Sequence, residues 1–526
     1  MRDFHLPGRS AVYAMNGMCA TSHPLAAEVA ISILKEGGNA MDAAIAGAVL
    51  LGLCEPAMTG IGGDCFALFT PPGDDRVLAL NGSGRAPQGI SAQALREAGH
   101  SQIIPTTPEA VTIPGAVDAF CRLSDDWGKL GLDRLLAPSI RYAEEGIPVA
   151  PRVALDWRLF ADKLTGASAR HYLVQGEVPT PGTVFRARAQ ANALRLIAER
   201  GRAGFYEGPV AEDMVSSLRA VGGCHTLEDF AACACEYTDP VSGSYGEYTL
   251  LEHPPNGPGA TAILLLNMLK NFDLAALDPY GAERAHIALE AAKIAHDARD
   301  RIVADPDHTT RLDALLDPKM AENLAARIDP KRAIADVAAA TEEAHRETVY
   351  ITVVDKDRMA VSLIYSIMHD FGSGIASDTY GILFQNRGSG FTLATGHPNE
   401  IAPGKRPLHT IIPAMLCQEG VPVMPFGVMG GTYQPHGHAH VLTNLVDYGM
   451  DLQSALDAPR AHYERGDVRV ERGYSDAVHQ ALADMGHNVV VPKTPIGGAQ
   501  AIRIDRETVV LEGASDPRKD GCALGY

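Results

Sequence analysis

Long apolar runs are missing from this sequence of 526 residues. No segment reaches the roughly 18 uncharged apolar residues of a membrane span, and the opening MRDFHLPGRSAVYAMNGMCATSHP carries charges and a proline where a secretory signal needs an uninterrupted apolar stretch. Tracts of low complexity are absent, and aromatics are few at 6% against 46% hydrophobic residues; with 52 Gly and 34 Pro this describes a globular protein with many turns. Positive charge is also in deficit. Forty-five basic residues face 64 acidic ones, for a formal charge of −19, which argues against nucleic acid or an anionic membrane as partner and requires a local basic pocket for any anionic substrate. The nine cysteines are odd in number and lack a paired framework, so reduced thiols and a cytoplasmic location are expected.

Helical periodicity dominates the first two thirds. Apolar residues from His23 to Leu53 recur at helical spacing around a Gly37-Gly38 break, predicting two packed helices. Further helices are expected over Ala187–Arg200, Thr261–Leu269 and Ala282–Ile302. The pattern changes at Arg346: ETVYITVVDKDRMAVSLIYS places two β-rich runs about an Asp-Lys-Asp-Arg turn, a hairpin signature. Asp329–Glu347, just before it, is rich in Ala and charge and short of large apolar residues, which suits a mobile segment or a short surface helix. Strands are expected at Val421–Met429, Val468–Glu471 and Ala499–Leu511, with helices at Leu442–Leu456 and Ser475–Met485, together one layered α/β unit.

Thr348 opens the first strand of the hairpin straight after the weakly packed segment. A threonine can cleave amides when it is N-terminal, because its own α-amine, with an ordinary pKa of about 7.7, accepts the hydroxyl proton. A cut between Glu347 and Thr348 would create that arrangement without tearing a core. Gly430-Gly431, between an apolar strand and a helix opening near Pro435, is a place where backbone N–H groups can approach a developing oxyanion.

The segments GGNAMDAAIA from Gly37, MTGIGGDCFALF from Met58, TIPGAVDAF from Thr112, APSIRYAEEGI from Ala137, YTDPVSGSYGEY from Tyr237, ETVYITVVDKD from Glu347, FGSGI from Phe371, GILFQN from Gly381, APGKRPLHTIIPAM from Ala402 and GVMGGTYQPHGHAHVLTN from Gly427 follow one another in the order found in a known family. Through them the chain resembles the gamma-glutamyltransferase-like family of N-terminal-nucleophile hydrolases. The resemblance implies an α/β fold of the αββα four-layer sandwich type, a single domain over 1–526 cut into a large subunit 1–347 and a small catalytic subunit 348–526, and no cofactor. It further implies Thr348 as the nucleophile, Ser366 as a supporting hydroxyl, and Gly430 and Gly431 as the oxyanion hole. A further homo-oligomer of the processed pair is compatible with the sequence.

The departures from the family pattern bear on the substrate. Family transferases hold the glutamyl carboxylate with the arginine of Arg-Glu-x-Ala-Pro; here Ser83-Gly84-Arg85-Ala86-Pro87 puts Ser83 there and Arg85 two residues on. Their acidic partner for the substrate ammonium is replaced by Gly390 in Arg387-Gly388-Ser389-Gly390-Phe391, an asparagine by Met368, and two serines by His409 and Thr410. What is left, Arg85, Arg387, His409 and Thr410, fits a carboxylate with no adjacent ammonium, since a planar guanidinium pairs with carboxylate oxygens. Within the family this resembles the oxamate amidohydrolase branch, which implies release of ammonia from oxamate to leave oxalate. A gamma-glutamyl transferase or hydrolase, another acyl-amide acylase and an unprocessed binding protein are the alternative readings.

Other signals are assigned to structure. His436 and His440 share a helix face but lack the glutamate of HExxH, and Cys233-x-Cys235 lacks a second pair, so no metal is expected. Gly60-Ile61-Gly62-Gly63 has neither a P-loop ending nor a dinucleotide spacing and is read as tight backbone packing. Asn39 and Asp42 are read as cap residues, and His286, Glu290 and Lys293 as part of a helix surface.

Overall fold

The computed structural model describes His5, residues 8–334 and residues 348–526. Two antiparallel seven-stranded sheets form its centre. One runs in the order Val12–Ala14, Leu511–Ser515, Gly498–Ile504, Val421–Met429, Ala414–Gln418, Tyr248–Glu252, Val241–Tyr245. The other runs Cys522–Gly525, Met18–Thr21, Val349–Val354, Ala360–Ser366, Asp64–Phe69, Leu78–Gly82, Glu236–Thr238. Leu68, Val354, Met415 and Ile502 fill the space between them, joined by the Phe66, Tyr350, Ile364, Ile411 and Met429 cluster. The outer face of the second sheet is covered by Pro24–Lys35, Ala40–Cys54 and Ala116–Trp127, and that of the first by Gly259–Leu269, Ala282–Ile302 and Gln434–Val446. This is the expected αββα order.

The hairpin Val349–Val354/Ala360–Ser366 is buried on both faces, as its nearly continuous apolar composition requires. Helix Ala40–Cys54 lies on its outer face, and a Cβ at Gly47 would come 2.5 Å from Ile351 Cδ1, so glycine there permits the close approach. The helix start is pinned by the expected caps: Asn39 Oδ1 accepts from the Asp42 N–H at 3.0 Å, Asp42 Oδ2 accepts from the Asn39 N–H at 3.0 Å, and the Ala40 N–H donates to Asp355 in the hairpin turn.

Three expectations change. The stretch Ala499–Leu511 is not one strand but the ends of two, Gly498–Ile504 and Leu511–Ser515, because Asp505 accepts the Glu507 and Thr508 N–H groups and makes a turn. The helix opening expected near Pro435 is found at Gln434, but it runs only to Val446, so the single helix expected over Leu442–Leu456 is the end of one helix and a second from Leu452. His286, Glu290 and Lys293 are buried rather than on a helix surface. Of Asp329–Glu347, residues 335–347 lie outside the described residues, while Ala333 N–H donates to Met485 O and Ile334 N–H to Glu290.

Candidate active site

Register places the key residues in a row. Val349 pairs with Tyr365, Ser366 with Asp64, and Cys65 with Gly82. Directly opposed residues point to the same face of an antiparallel sheet, so Thr348, Ser366 and Asp64 stand side by side on the face toward the other sheet. Gly62 and Gly63 lead into this row: a Cβ there would meet Leu383 O at 2.1 Å and Ser366 O at 2.3 Å. The tight-packing reading of that glycine run is therefore the structural one.

Thr348 is fully buried, with its Oγ1 hydrogen-bonded to Ser366 Oγ at 3.3 Å. Ser366 Oγ also accepts from the Met368 N–H at 2.9 Å and from Arg387 Nη2 at 3.2 Å. Met368 is held at φ +74°, a left-handed turn that folds its N–H back onto the serine. Arg387 is fully buried in the 3₁₀ turn Arg387–Gly390; its Nη1 donates to Thr410 Oγ1 at 2.9 Å, and its Nε has no protein partner. Burial pulls its pKa down to about 10, opposed by Asp64, so the guanidinium stays charged at neutral pH.

His409 joins this group as a neutral ring. Its Nε2 lies 3.1 Å from Asp64 Oδ2, while burial and the Arg387 charge push its pKa down to about 3. Asp64 Oδ1 accepts from the Gly84 N–H at 2.9 Å, the Gly115 N–H at 3.1 Å and Gln385 Nε2 at 2.8 Å. Asn386 holds the neighbouring loop, its Oδ1 accepting from the His369 N–H at 3.1 Å. Asp64, Gln385 and Asn386 were not singled out from sequence. The available signal was polar residues interrupting apolar runs, Asp64 before CFALF and Gln385-Asn386 after ILF.

Gly430 and Gly431 follow strand Val421–Met429, which crosses the inner face of the hairpin. Ser362 Oγ donates to Phe426 O, Gly427 packs on the Tyr350 ring, and Met429 sits with Ile364. The strand therefore advances toward Ser366 and delivers both glycines to the Thr348 end of the hairpin. They adopt φ +123° and +57°.

Arg85 is not brought into this group: its guanidinium, 37% exposed, bonds Gly404 O at 3.0 Å and Glu236 at 2.9 Å. Ser83 Oγ accepts from Asn256 Nδ2 at 3.1 Å. A Cβ at Gly390 would stand 2.6 Å from Leu408 O, so an acidic side chain has no room there without a backbone shift.

Among the described residues, His286, Glu290 and His487 have ligand atoms close enough to hold an ion. Their bonds are already satisfied internally. Lys293 Nζ donates to Glu290 Oε1 at 2.6 Å, His286 Nδ1 and His487 Nε2 share a hydrogen at 2.7 Å, and His286 Nε2 reaches Asp329 O at 2.8 Å. An ammonium already neutralises the carboxylate. Among the described residues no cysteine forms a disulfide and no helix is long and apolar enough to cross a membrane.

Comparison with known proteins finds relatives over nearly the whole chain. The chain is 37% identical over 98% of its length to the glutathione hydrolase-like YwrD proenzyme of Bacillus subtilis (99% of that protein) and 35% identical over 98% of its length to the oxamate amidohydrolase proenzyme of Klebsiella pneumoniae (100% of that protein). Its fold superimposes on the crystal structure of cephalosporin acylase from Bacillus halodurans with a TM-score of 0.92 and 38% identity, covering 100% of this chain and 99% of the other. These relatives are amide hydrolases or proenzymes of one family. The profile of that family matches residues 26–526, and the chain belongs to the gamma-glutamyltranspeptidase family, as an amide hydrolase with the N-terminal-nucleophile fold.

Proposed function

We propose that this protein is a self-cleaving N-terminal-threonine amidohydrolase acting on a small amide that carries a carboxylate, with oxamate as the foremost candidate. The observation that carries the reading is the buried Arg387, which bonds both Ser366 beside Thr348 and Thr410. It puts a fixed cation next to the hydroxyl pair, and Gly390 stands where the resemblance places the acidic partner of a substrate ammonium. The identity to an oxamate amidohydrolase proenzyme over nearly the whole chain supports the same substrate class.

In this reading the Thr348 hydroxyl attacks the Glu347 carbonyl carbon, the peptide shifts from nitrogen to oxygen, and water hydrolyses the ester. That leaves chains 1–347 and 348–526 and a free α-amine on Thr348. The amine then takes the Thr348 hydroxyl proton as the oxygen attacks the substrate amide carbon. N–H groups at Gly430 and Gly431 steady the oxyanion. Collapse expels ammonia with the proton the amine returns, and a water molecule hydrolyses the acyl ester to release oxalate. Arg387 and Thr410 orient the substrate carboxylate throughout; Arg85, engaged with Glu236, takes no part in that contact.

Gel electrophoresis with N-terminal sequencing tests the cut: two bands and a new Thr348 N-terminus are expected, and a single full-length band would sink the reading. A panel of oxamate, gamma-glutamyl amides and longer acyl amides, scored by ammonia or amine release, tests the substrate. The family's glutathione hydrolases make gamma-glutamyl turnover the second reading, and comparable rates on a gamma-glutamyl anilide would favour it. The unpaired cysteines support a cytoplasmic location.

A further inference from the structure

Two buried acceptor atoms have no protein partner, His409 Nδ1 and Gln385 Oε1, and both belong to side chains that hydrogen-bond Asp64, the cross-strand partner of Ser366. Their orientation is dictated by one carboxylate. The ring nitrogen facing Asp64 Oδ2 must carry the hydrogen, which in a neutral imidazole leaves Nδ1 with a lone pair. The Gln385 amide nitrogen must likewise face Asp64 Oδ1, where it also approaches Ile113 O at 3.5 Å, so its oxygen points away. Arg387 Nε, close enough to His409 for its charge to depress the imidazole, adds one unpartnered buried donor. Buried polar atoms are normally satisfied, and a cluster that is not is completed by a ligand of complementary pattern.

We infer that Asp64 sets His409 and Gln385 as paired hydrogen-bond acceptors for the N–H groups of the substrate, so that the site selects an unsubstituted carboxamide over an ester or dialkyl amide of equal charge. This rests on the small anionic amide reading, within which the carboxylate takes Arg387 and Thr410 and the NH2 group takes the acceptor pair. Asp64 is a positioning residue, acting through the two side chains it orients. A site built to accept N–H groups rejects an analogue without them, because its own buried atoms are then left unpaired.

The test is the ratio of kcat/KM for oxamate to that for monomethyl oxalate, two monoanions of which one has no N–H. Asp64→Asn and His409→Phe are expected to lower the ratio at least about tenfold. His409→Gln, which keeps an N–H for Asp64 and a carbonyl acceptor, is expected to restore it to within about threefold of wild type. A ratio unchanged in the first two variants overturns the inference, and because it is taken within each variant, partial loss of active protein cancels. The wild type supplies an arm free of folding effects: N,N-dimethyloxamate is expected to bind at least about tenfold more weakly than oxamate, and equal affinity overturns the inference. That affinity needs no turnover. Discrimination without ammonia release from any amide would remove the amidase reading and leave the acceptor pair standing, whereas neither discrimination nor release removes both.

Discussion

Arg387 reaches Ser366 Oγ through Nη2 at 3.2 Å, and Ser366 Oγ lies 3.3 Å from Thr348 Oγ1, so one hydroxyl separates a buried cation from the proposed nucleophile. A guanidinium in a dry site makes stronger hydrogen bonds than in water, and its unpartnered Nε leaves it a donor for an incoming anion.

Arg387→Met is expected to raise KM for an anionic amide by about tenfold to a hundredfold, the range of one charge-assisted hydrogen bond. Steady-state kinetics on oxamate checks this. An unchanged KM with a lowered kcat would remove Arg387 from substrate binding.

Ser366→Ala removes the acceptor used by both the Met368 N–H and Arg387. A loss of about 1–3 kcal/mol of stability is expected from the buried donor left unpaired, together with slower self-cleavage. Urea unfolding and the time course of the full-length band report the two effects separately, and a variant that matures at the wild-type rate would assign Ser366 a structural role alone.

Gly430 holds φ +123°, and a Cβ there would stand 2.9 Å from Gly497 Cα. Gly430→Ala is expected to cost about 1–3 kcal/mol and to reduce turnover far more than stability, since the proposed oxyanion contact depends on the direction that conformation gives its N–H. Gly449→Ala serves as control: its φ is +58° with no atom within 4 Å of a Cβ, and its kcat is expected to match wild type.

His23 caps helix Pro24–Lys35 by accepting the Leu25 N–H on Nδ1, and burial pulls its pKa down to about 4. The cap needs the lone pair, so the folded protein resists protonation while the unfolded chain takes it up near the ordinary value of 6.5. Stability from this group is complete above pH 6.5 and falls by about 1.4 kcal/mol per pH unit as the pH drops toward 4. His23→Asn keeps a capping oxygen without a titrating ring. Thermal melts between pH 7 and 4.5 are expected to show a shallower decline in the variant, and identical slopes would refute the assignment.

Much of the layering could be read directly. Helix Ala282–Ile302 and strand Val421–Met429 have the bounds their apolar periodicity predicts, because each presents a full period to the core. Errors fell where local chemistry overrides periodicity: Asp505 turning the chain inside an apolar stretch, and the break at Gly449, φ +58°, dividing the stretch Leu442–Leu456 between two helices. His286, Glu290 and Lys293 looked like a solvated face because charges at helical spacing usually are; here an ammonium, a carboxylate and two imidazoles pair off inside the protein.

Local order along the chain was enough for the hairpin, since two β-rich runs about a polar turn are a property of neighbouring residues, whereas Thr348 as the proposed nucleophile rests on its place at the head of that hairpin together with the family resemblance. It also determined which residue types surround the site, Arg387, His409 and Thr410 among them. Tertiary structure decided what those residues do. Arg387 and Arg85 are equivalent as letters, yet one is buried against Ser366 and the other is bound to Glu236 near the surface. His409 reads as a carboxylate-binding residue until Asp64, 345 positions away, and burial make it a neutral ring with a fixed tautomer. Charge state and hydrogen-bond direction depend on partners brought together across the sheets, and that information is carried by packing rather than by order along the chain.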